Sequence, residues 1–171
     1  DVIRVGLRLP PTCDFNFLPG QHVEIIGTNG IRRSYSLANA SLAGDLLELH
    51  VRAVEGGLMT DYWFNQAKIN DLLRLNGPLG TFFLRDTDDV DLIFMATGTG
   101  IAPIKSMLES LEQDRNMPRP KSITVLWGGR HSYDLYLNID QITDDFDYFP
   151  VLSRPDDGWS GDKGYVQEVL L

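Results

Sequence analysis

The sequence is poor in cysteine, in histidine and in long apolar segments, and each shortage excludes a class of protein. Cys13 is the only cysteine, which excludes an internal disulfide and an iron–sulphur cluster, because such clusters generally take four cysteine ligands. His22 and His131 show no metal-ligand spacing, so no metal site is expected. No apolar run approaches the roughly 20 residues of a membrane span, and the first residues lack a signal-peptide pattern. A cytoplasmic protein without a membrane segment is expected.

Basic residues are also scarce relative to acidic ones. The chain has 15 Lys and Arg against 24 Asp and Glu, a formal net charge of -9. A protein that follows nucleic-acid phosphates needs clustered Lys and Arg on one face. No nucleic-acid partner is therefore expected, and the acidic excess predicts a solvated surface.

The first half of the chain has the pattern of short antiparallel strands. Strands with period-2 alternation are predicted at residues 4–9, 21–26, 32–37, 46–51 and, less regularly, 74–76 and 82–84. Their regular spacing predicts a small antiparallel barrel. Asn29-Gly30 predicts a tight turn that pairs the second and third strands. One helix is predicted over residues 58–67, with an inward face formed by Leu58, Tyr62, Trp63 and Ile69.

The second half alternates apolar strands with helical patterns. Strands are predicted at 92–96, 123–127 and 148–152, and helices at 102–113 and, more weakly, around Ile139. This alternation predicts a parallel sheet with crossover helices. The polar loop at 85–89 predicts a domain boundary, with domains at residues 1–86 and 87–171.

A glycine-rich turn follows the first strand of the second half. Gly98 to Gly100 let the backbone approach an anion, and Pro103 suits the first turn of the helix that follows. The helix N-terminus supplies free N–H groups and a partial positive charge. The motif indicates a diphosphate cradle, although a tight turn required by packing alone explains it equally well.

A second group of candidate residues lies in the first half. Arg33, Tyr35 and Ser36 place a cation, an aromatic ring and a hydroxyl on one predicted strand. Taken alone, this is more simply a two-faced strand with an exposed arginine and a packed tyrosine. However, Gly57 to Thr60 would add unpaired amides and a capping hydroxyl at a helix start, which is a second anion site. Two such cradles in one chain are hard to explain by packing.

In this order and spacing, the motifs resemble the ferredoxin–NADP reductase superfamily, and within it the branch of oxygenase reductases and CDP-6-deoxy-glucoseen reductases. The matching segments are 33–36, 57–60, 77–82, 98–103, 127–136 and 151–161. The resemblance implies an antiparallel Greek-key FAD-binding barrel followed by a parallel-sheet NAD(P)-binding α/β domain. It also implies that both domains are truncated, because an early barrel strand and the family's last strands are missing.

The resemblance also implies roles for individual residues. Arg33 would pair with the FAD pyrophosphate, while Tyr35 would lie against the isoalloxazine ring and Ser36 would hydrogen-bond its N5, which makes these two the catalytic candidates. The implied cofactor-binding residues are Arg33, Tyr35, Ser36, His50, Val51, Arg52, Gly57, Leu58, Met59, Thr60, Thr97, Gly98, Thr99, Gly100, Pro103, Gly129, Arg130, Ser153 and Arg154.

The implied activity is hydride transfer from NAD(P)H to FAD, followed by electron transfer to an iron–sulphur domain or another redox partner. Asp156 and Asp157 follow Arg154 after Pro155, and this pattern favours NADH, with NADPH possible. Two alternatives stay open. A free-flavin reductase shares the fold but does not need the Gly57–Thr60 turn, and a non-catalytic flavin-binding relay subunit would fit the missing C-terminal segment.

Overall fold

A computed structural model describes residues 1–27, 30–40, 44–114, 116–143 and 145–170 of the chain. Its N-terminal half contains antiparallel strands, as predicted, in two sheets of order β1–β4 and β3–β2–β5. The strands are β1 (Val2–Arg8), β2 (His22–Ile26), β3 (Arg32–Ser36), β4 (Leu46–Arg52) and β5 (Arg74–Leu79). An isolated bridge between Leu37 and Leu49 connects the end of β3 to β4. The predicted pairing of β2 with β3 is confirmed, whereas Asn29 of the predicted turn lies outside the described residues.

The core of this half follows from the period-2 pattern. Alternate residues of β2 and β4 are fully buried, among them Val23, Ile25, Leu47 and Leu49. These side chains share one core with Trp63, which comes from the helical segment that crosses the sheets. Burial of branched apolar side chains at this spacing keeps one face of each sheet out of water.

The helical segment is shorter than predicted and is rotated. It consists of α1 (Leu58–Asp61) and a π-helical turn from Tyr62 to Gln66. Met59 and Trp63, four residues apart, face the core, whereas Leu58 is 63% exposed. Because the helical segment ends at Gln66, Ile69 lies beyond it and is 94% exposed. The predicted inward positions of Leu58 and Ile69 are therefore wrong.

The predicted strand at 82–84 is also wrong. Gly80 has φ +91°, and the chain turns there, after a β5 that extends further than predicted. Phe82 is exposed, Phe83 lies under the Arg85 guanidinium, and Leu84 packs on the core of the C-terminal half. The three side chains thus lie in different environments and do not alternate between the two faces of a sheet. This explains why residues 82–84 form no strand.

The C-terminal half is a four-stranded parallel sheet of order β6–β7–β8–β9, which confirms the predicted alternation of strands and helices. Its elements are β6 (Asp91–Thr97), α2 (Ile101–Gln113), β7 (Ser122–Gly129), β8 (Asp147–Leu152), β9 (Asp162–Lys163) and α3 (Val166–Val169). The weak helix predicted near Ile139 is a single 3₁₀ turn, Ile139–Gln141. Among the described residues, no helix has the length and apolarity needed to cross a membrane.

One face of α2 packs on the sheet. Ile101, Ile104 and Leu108 are buried against Trp127 of β7, at the helical spacing of three and four residues. Because β6, β7 and β8 are parallel, their last residues meet at one edge of the sheet. In open α/β sheets, ligands bind at the carboxyl edge of the strands.

Candidate functional site

Strand β3 and the π-helical turn bring the side chains of Tyr35 and Trp63 into contact. The Tyr35 hydroxyl accepts a hydrogen bond of 3.0 Å from Trp63 Nε1, and the two rings lie edge to face at 6.1 Å. Burial raises the pKa of Tyr35, and the Trp63 hydrogen bond and the Arg33 charge offset this only in part. Tyr35 is therefore held neutral and in a fixed orientation. The sequence did not indicate Trp63 as its partner.

Arg33 and Ser36 retain free hydrogen-bonding capacity. Arg33 is exposed, and its Nη1 donates to Arg32 O at 2.7 Å, with no carboxylate in ion-pair range among the described residues. The half-buried Ser36 hydroxyl forms no hydrogen bond within the part of the chain that is described. Both groups could therefore bind a ligand without breaking an existing contact.

The turn from Gly57 to Thr60 opens α1 with free backbone donors. The amides of Leu58, Met59 and Thr60 make no hydrogen bond in the described ranges. Gly57 is closely packed, since a Cβ there would lie 3.0 Å from Thr60 Oγ1 and from Val54 O, which would have to move slightly to accommodate it. The predicted capping by Thr60 takes another form, because its hydroxyl accepts from Val54 N at 3.3 Å.

The Gly98 turn is held by Trp127, which is buried in the core between α2 and the parallel sheet. Trp127 Nε1 donates a hydrogen bond of 2.9 Å to Gly98 O, and Gly98 has φ +52°, a conformation that favours glycine. Thr97 ends β6 just before it, and Thr99 and Gly100 complete a 3₁₀ turn that leads into α2. Pro103 is buried in the first turn of that helix, as the sequence predicts.

The ends of β7 and β8 bring four further predicted residues to the same edge. Ser153 N donates to Gly129 O at 3.0 Å, and Arg154 N donates to Arg130 O at 2.8 Å. The side chains of Arg130 and Arg154 are exposed there. Packing explains why residue 129 is a glycine, because a Cβ at this position would lie 2.8 Å from Asp134 Cβ.

Arg52 connects the two halves at this edge. Its Nη2 lies 3.6 Å from Asp134 Oδ1, and its Nη1 lies 3.1 Å from where a Cβ of Gly98 would stand. Burial raises the pKa of Asp134, but hydrogen bonds from the amides of His131 and Arg130 and the charge of Arg52 outweigh it and lower that pKa. The carboxylate therefore stays ionised and holds Arg52 beside the Gly98 turn.

His50 and Val51 do not offer their side chains to a ligand. Val51 is buried in the barrel core. His50 Nδ1 lies 2.8 Å from the Tyr136 hydroxyl, and its Nε2 lies 2.7 Å from Glu48 Oε1. Only backbone atoms of these two residues remain available for a cofactor. The Leu58 side chain is exposed and that of Met59 is in the core.

Sequence reasoning missed the polar cluster between the halves, which includes Glu48, Tyr136, Lys105 and Glu109. The signal available was Lys105 with Glu109 one helical turn later, a charged pair within a predicted helix that is otherwise largely apolar. Burial raises the pKa of Glu48, but the hydrogen bond from His50 and the charge of Lys105 outweigh it and lower that pKa.

The arrangement fits two dinucleotides on chemical grounds. The free amides of Leu58, Met59 and Thr60 and the exposed guanidinium of Arg33 are donors suited to a diphosphate, and Tyr35 supplies an aromatic ring two residues from Arg33 on β3. The Gly98 turn, at the start of a 13-residue helix, is a second candidate anion site at the sheet edge. The described residues include no His, Cys, Asp or Glu cluster suited to a metal ion.

Comparisons with known proteins assign each half of the chain to a family of oxidoreductase domains. The family description "Oxidoreductase FAD-binding domain" matches residues 1–84, and "Oxidoreductase NAD-binding domain" matches residues 94–171. The chain thus has the class of fold in which one domain binds FAD and the next binds a nicotinamide nucleotide.

Relatives with known names support the same grouping. CDP-6-deoxy-L-threo-D-glycero-4-hexulose-3-dehydrase reductase of Yersinia pestis is 39% identical over 175 residues, which cover 100% of this chain and 52% of the relative. The reductase component DmpP of phenol 2-monooxygenase from Pseudomonas sp. (strain CF600) is 36% identical, over 96% of this chain and 48% of its own length. The chain spans about half the length of the curated relatives it matches.

A solved structure agrees in fold. The Amycolatopsis cytochrome P450 reductase GcoB superposes with a TM-score of 0.84 at 33% identity, over 99% of this chain and 52% of that one. The chain belongs to the ferredoxin–NADP reductase superfamily, as the motifs indicated.

The lowered pKa of Glu48 predicts acid sensitivity. Its ionised form is favoured by folding, so this stabilisation is complete above the ordinary carboxyl pKa of about 4.3 and is lost as the pH falls through the lower folded value. The free energy of unfolding of the parent should fall between about pH 5 and pH 3 more steeply than that of Glu48→Gln. Urea titrations across this range measure it.

Glu55→Gln is the matched control, because Glu55 is exposed and has no hydrogen bond or ion pair among the residues described. Its acid dependence should follow the parent. Equal slopes for Glu48→Gln and Glu55→Gln would contradict the role given to Glu48.

Proposed function

We propose that the chain forms the flavin- and nicotinamide-binding part of a reductase that takes a hydride from NADH and passes electrons to a redox partner. The observation that carries this proposal is the presence of two diphosphate-compatible turns, Gly57–Thr60 and Gly98–Gly100, on two domains joined by direct contacts. Packing alone does not require free donors at both turns.

The chain's residues have separable tasks in this proposal. Arg33 and the amides after Gly57 bind the FAD diphosphate, Tyr35 orients the ring system, and Ser36 presents its hydroxyl to flavin N5. The Gly98 turn and the exposed Arg130 and Arg154 bind NADH. FAD supplies, when bound, the ability to accept a hydride and to release electrons singly.

The choice of NADH over NADPH is supported by charge at the sheet edge. Asp156 follows two residues after Arg154, and its carboxylate accepts from Ser132 Oγ at 3.2 Å and lies 3.8 Å from His131 Nδ1. A fixed carboxylate here would repel the additional phosphate of NADPH.

The partner is inferred to be an iron–sulphur domain or protein. Two similar proteins are named as the reductase of a dehydrase and the reductase component of a monooxygenase, so each serves a separate enzyme. Such a cluster would have to lie outside this chain, since Cys13 alone cannot ligate one.

Anaerobic titration of the FAD-loaded chain tests the activity. NADH should bleach the flavin absorbance with about one equivalent, because a hydride carries two electrons, and NADPH should act more slowly. A flavin that stays oxidised with both nucleotides would favour a relay subunit. A higher kcat/KM for NADPH than for NADH would contradict the nucleotide assignment.

Arg33→Ala should weaken FAD binding by about 2 kcal/mol, or roughly thirtyfold in Kd, because a charge-assisted hydrogen bond to phosphate is lost. Arg32→Ala is the control, since Arg32 is adjacent but is paired with Glu24 at 3.0 Å. Fluorescence titration measures both variants. FMN should bind the parent more weakly than FAD, because it lacks the diphosphate, and equal affinities would refute the assignment.

Ser36→Ala should separate binding from reduction. Its hydroxyl contacts no described group, so FAD affinity should remain near that of the parent. Reduction by NADH should slow about tenfold or more, equivalent to roughly 1.4 kcal/mol of barrier. Stopped-flow measurements with NADH and its 4-deuterated form identify the slowed step. The control is Ser34→Ala, two residues away on the same face of the strand. In this variant NADH should reduce bound FAD at the parent rate.

An unchanged rate in Ser36→Ala, with an isotope effect that shows hydride transfer is observed, would remove Ser36 from the mechanism.

A further inference from the structure

Helix α2 is attached to the N-terminal domain by side chains on one of its faces. Lys105 Nζ donates to Ala38 O at 2.8 Å, and Ser106 Oγ donates to Asn39 O at 2.7 Å. Glu109 Oε2 accepts from the amide of Ala40 at 3.0 Å. Three consecutive residues of one domain are therefore bound by a single helix of the other.

The two charges in this contact are paired inside the protein. Lys105 is only 6% exposed, and its ammonium lies 2.6 Å from Glu109 Oε1 and 3.4 Å from Glu48 Oε1. A buried charge is tolerated when its hydrogen bonds are satisfied and its partners are ionised. Here the ammonium donates to Ala38 O and to Glu109 Oε1, and Glu48 adds a second carboxylate within ion-pair distance.

The contact is adjacent in sequence to both candidate cofactor sites. Residues 38–40 follow β3, which carries Arg33, Tyr35 and Ser36, with only Leu37 between them. Lys105 is in the second turn of α2, whose start is the Gly98–Gly100 turn. An α-helix is stiff over this length, so a contact at Lys105 transmits position to the turn before it.

We propose that Lys105 and Glu109 are positioning residues. They fix the Gly98–Gly100 turn, the candidate nicotinamide site, relative to strand β3, which carries the candidate flavin-binding residues. The proposal rests on the function proposed above. The pair touches neither cofactor site directly, and it acts by preventing α2 from sliding along residues 38–40. A shift of about 1 Å in such an arrangement can reduce a reaction rate about a hundredfold while ligands still bind.

Glu109→Gln and Glu112→Gln form a matched pair of tests. An amide has a single acceptor oxygen, so Gln at 109 can accept from Lys105 or from Ala40 but not from both in the present geometry. Glu112 is on the same helix, is exposed, and makes no hydrogen bond or ion pair among the described residues. Both substitutions remove one negative charge.

The first measurement is amide hydrogen exchange in the FAD-free chain. In Glu109→Gln, the amide of Ile101, which donates to Gly98 O and closes the turn, should exchange about fivefold or more faster than in the parent, while Glu112→Gln should match the parent. Urea unfolding of each variant separates local opening from a general loss of stability. Exchange at Ile101 that equals the control would overturn the proposal.

The second measurement is made on the FAD-loaded chain. Glu109→Gln should bind NAD⁺ within about twofold of the parent Kd but reduce FAD with NADH about fivefold or more slowly, because position and not contact is changed. Lys105→Met should behave in the same way, and Lys105→Arg, which keeps the charge and donors, should recover most of the rate. A loss confined to NAD⁺ affinity, with no change in rate, would also overturn the proposal.

Failure of the proposed function would look different. A parent chain that binds no FAD would refute the function, while the exchange measurement would still decide whether Lys105 and Glu109 fix the turn. Should Glu109→Gln fail to fold, Ser106→Ala removes one hydrogen bond of the same contact without disturbing a charge. A smaller rise in exchange at the Ile101 amide is then expected. Unchanged exchange in that variant would count against the proposal.

Discussion

The need to satisfy a buried ammonium group organises the junction between the two domains. Lys105 can be charged at this depth only because Ala38 O, Glu109 and Glu48 surround it. Glu48 is shared with His50, which in turn reaches Tyr136, so the requirement extends across the junction. Polar groups that must be satisfied together have few alternative arrangements, unlike an apolar interface of the same size.

The candidate site divides its tasks between backbone and side chains. Both candidate anion sites are formed from main-chain amides at turns where glycine is favoured by its backbone conformation, as at Gly98, or by close packing, as at Gly57. Side chains then determine orientation, as Trp63 does for Tyr35 and Asp134 does for Arg52. Side-chain changes can therefore alter the geometry of the site while its anion-binding turns are retained.

Much of the fold could be predicted from the sequence because its signals are local. Period-2 alternation identified β1 to β4, and the alternation of apolar strands with helices identified the parallel sheet. The errors arose where a local pattern competed with distant contacts. Apolar Phe82 and Leu84 were interpreted as a strand, but Leu84 packs on the other domain, and the face of α1 is set by Trp63 filling the barrel core.

The short motifs of the candidate site could be predicted from the sequence, but the side-chain contacts that connect them could not. Gly57, Gly98 and Arg33 belong to short segments whose binding chemistry can be inferred from a few neighbouring residues of the sequence. The contacts of His50 with Tyr136, and of Lys105 with Ala38, join residues 86 and 67 positions apart, and no local pattern encodes such pairs. The roles of the individual site residues remain predictions, while the family and the two-domain architecture are confirmed.

The placement of the tryptophans gives the protein built-in optical reporters. Of the three in the chain, Trp63 donates to the Tyr35 hydroxyl beside one candidate site, and the fully buried Trp127 donates to Gly98 O beside the other. Trp159 donates to Asp162 O at the start of β9. Indole emission depends on the polarity and hydrogen bonding around the ring, so single-tryptophan versions of the chain would each report on a different region without an added label.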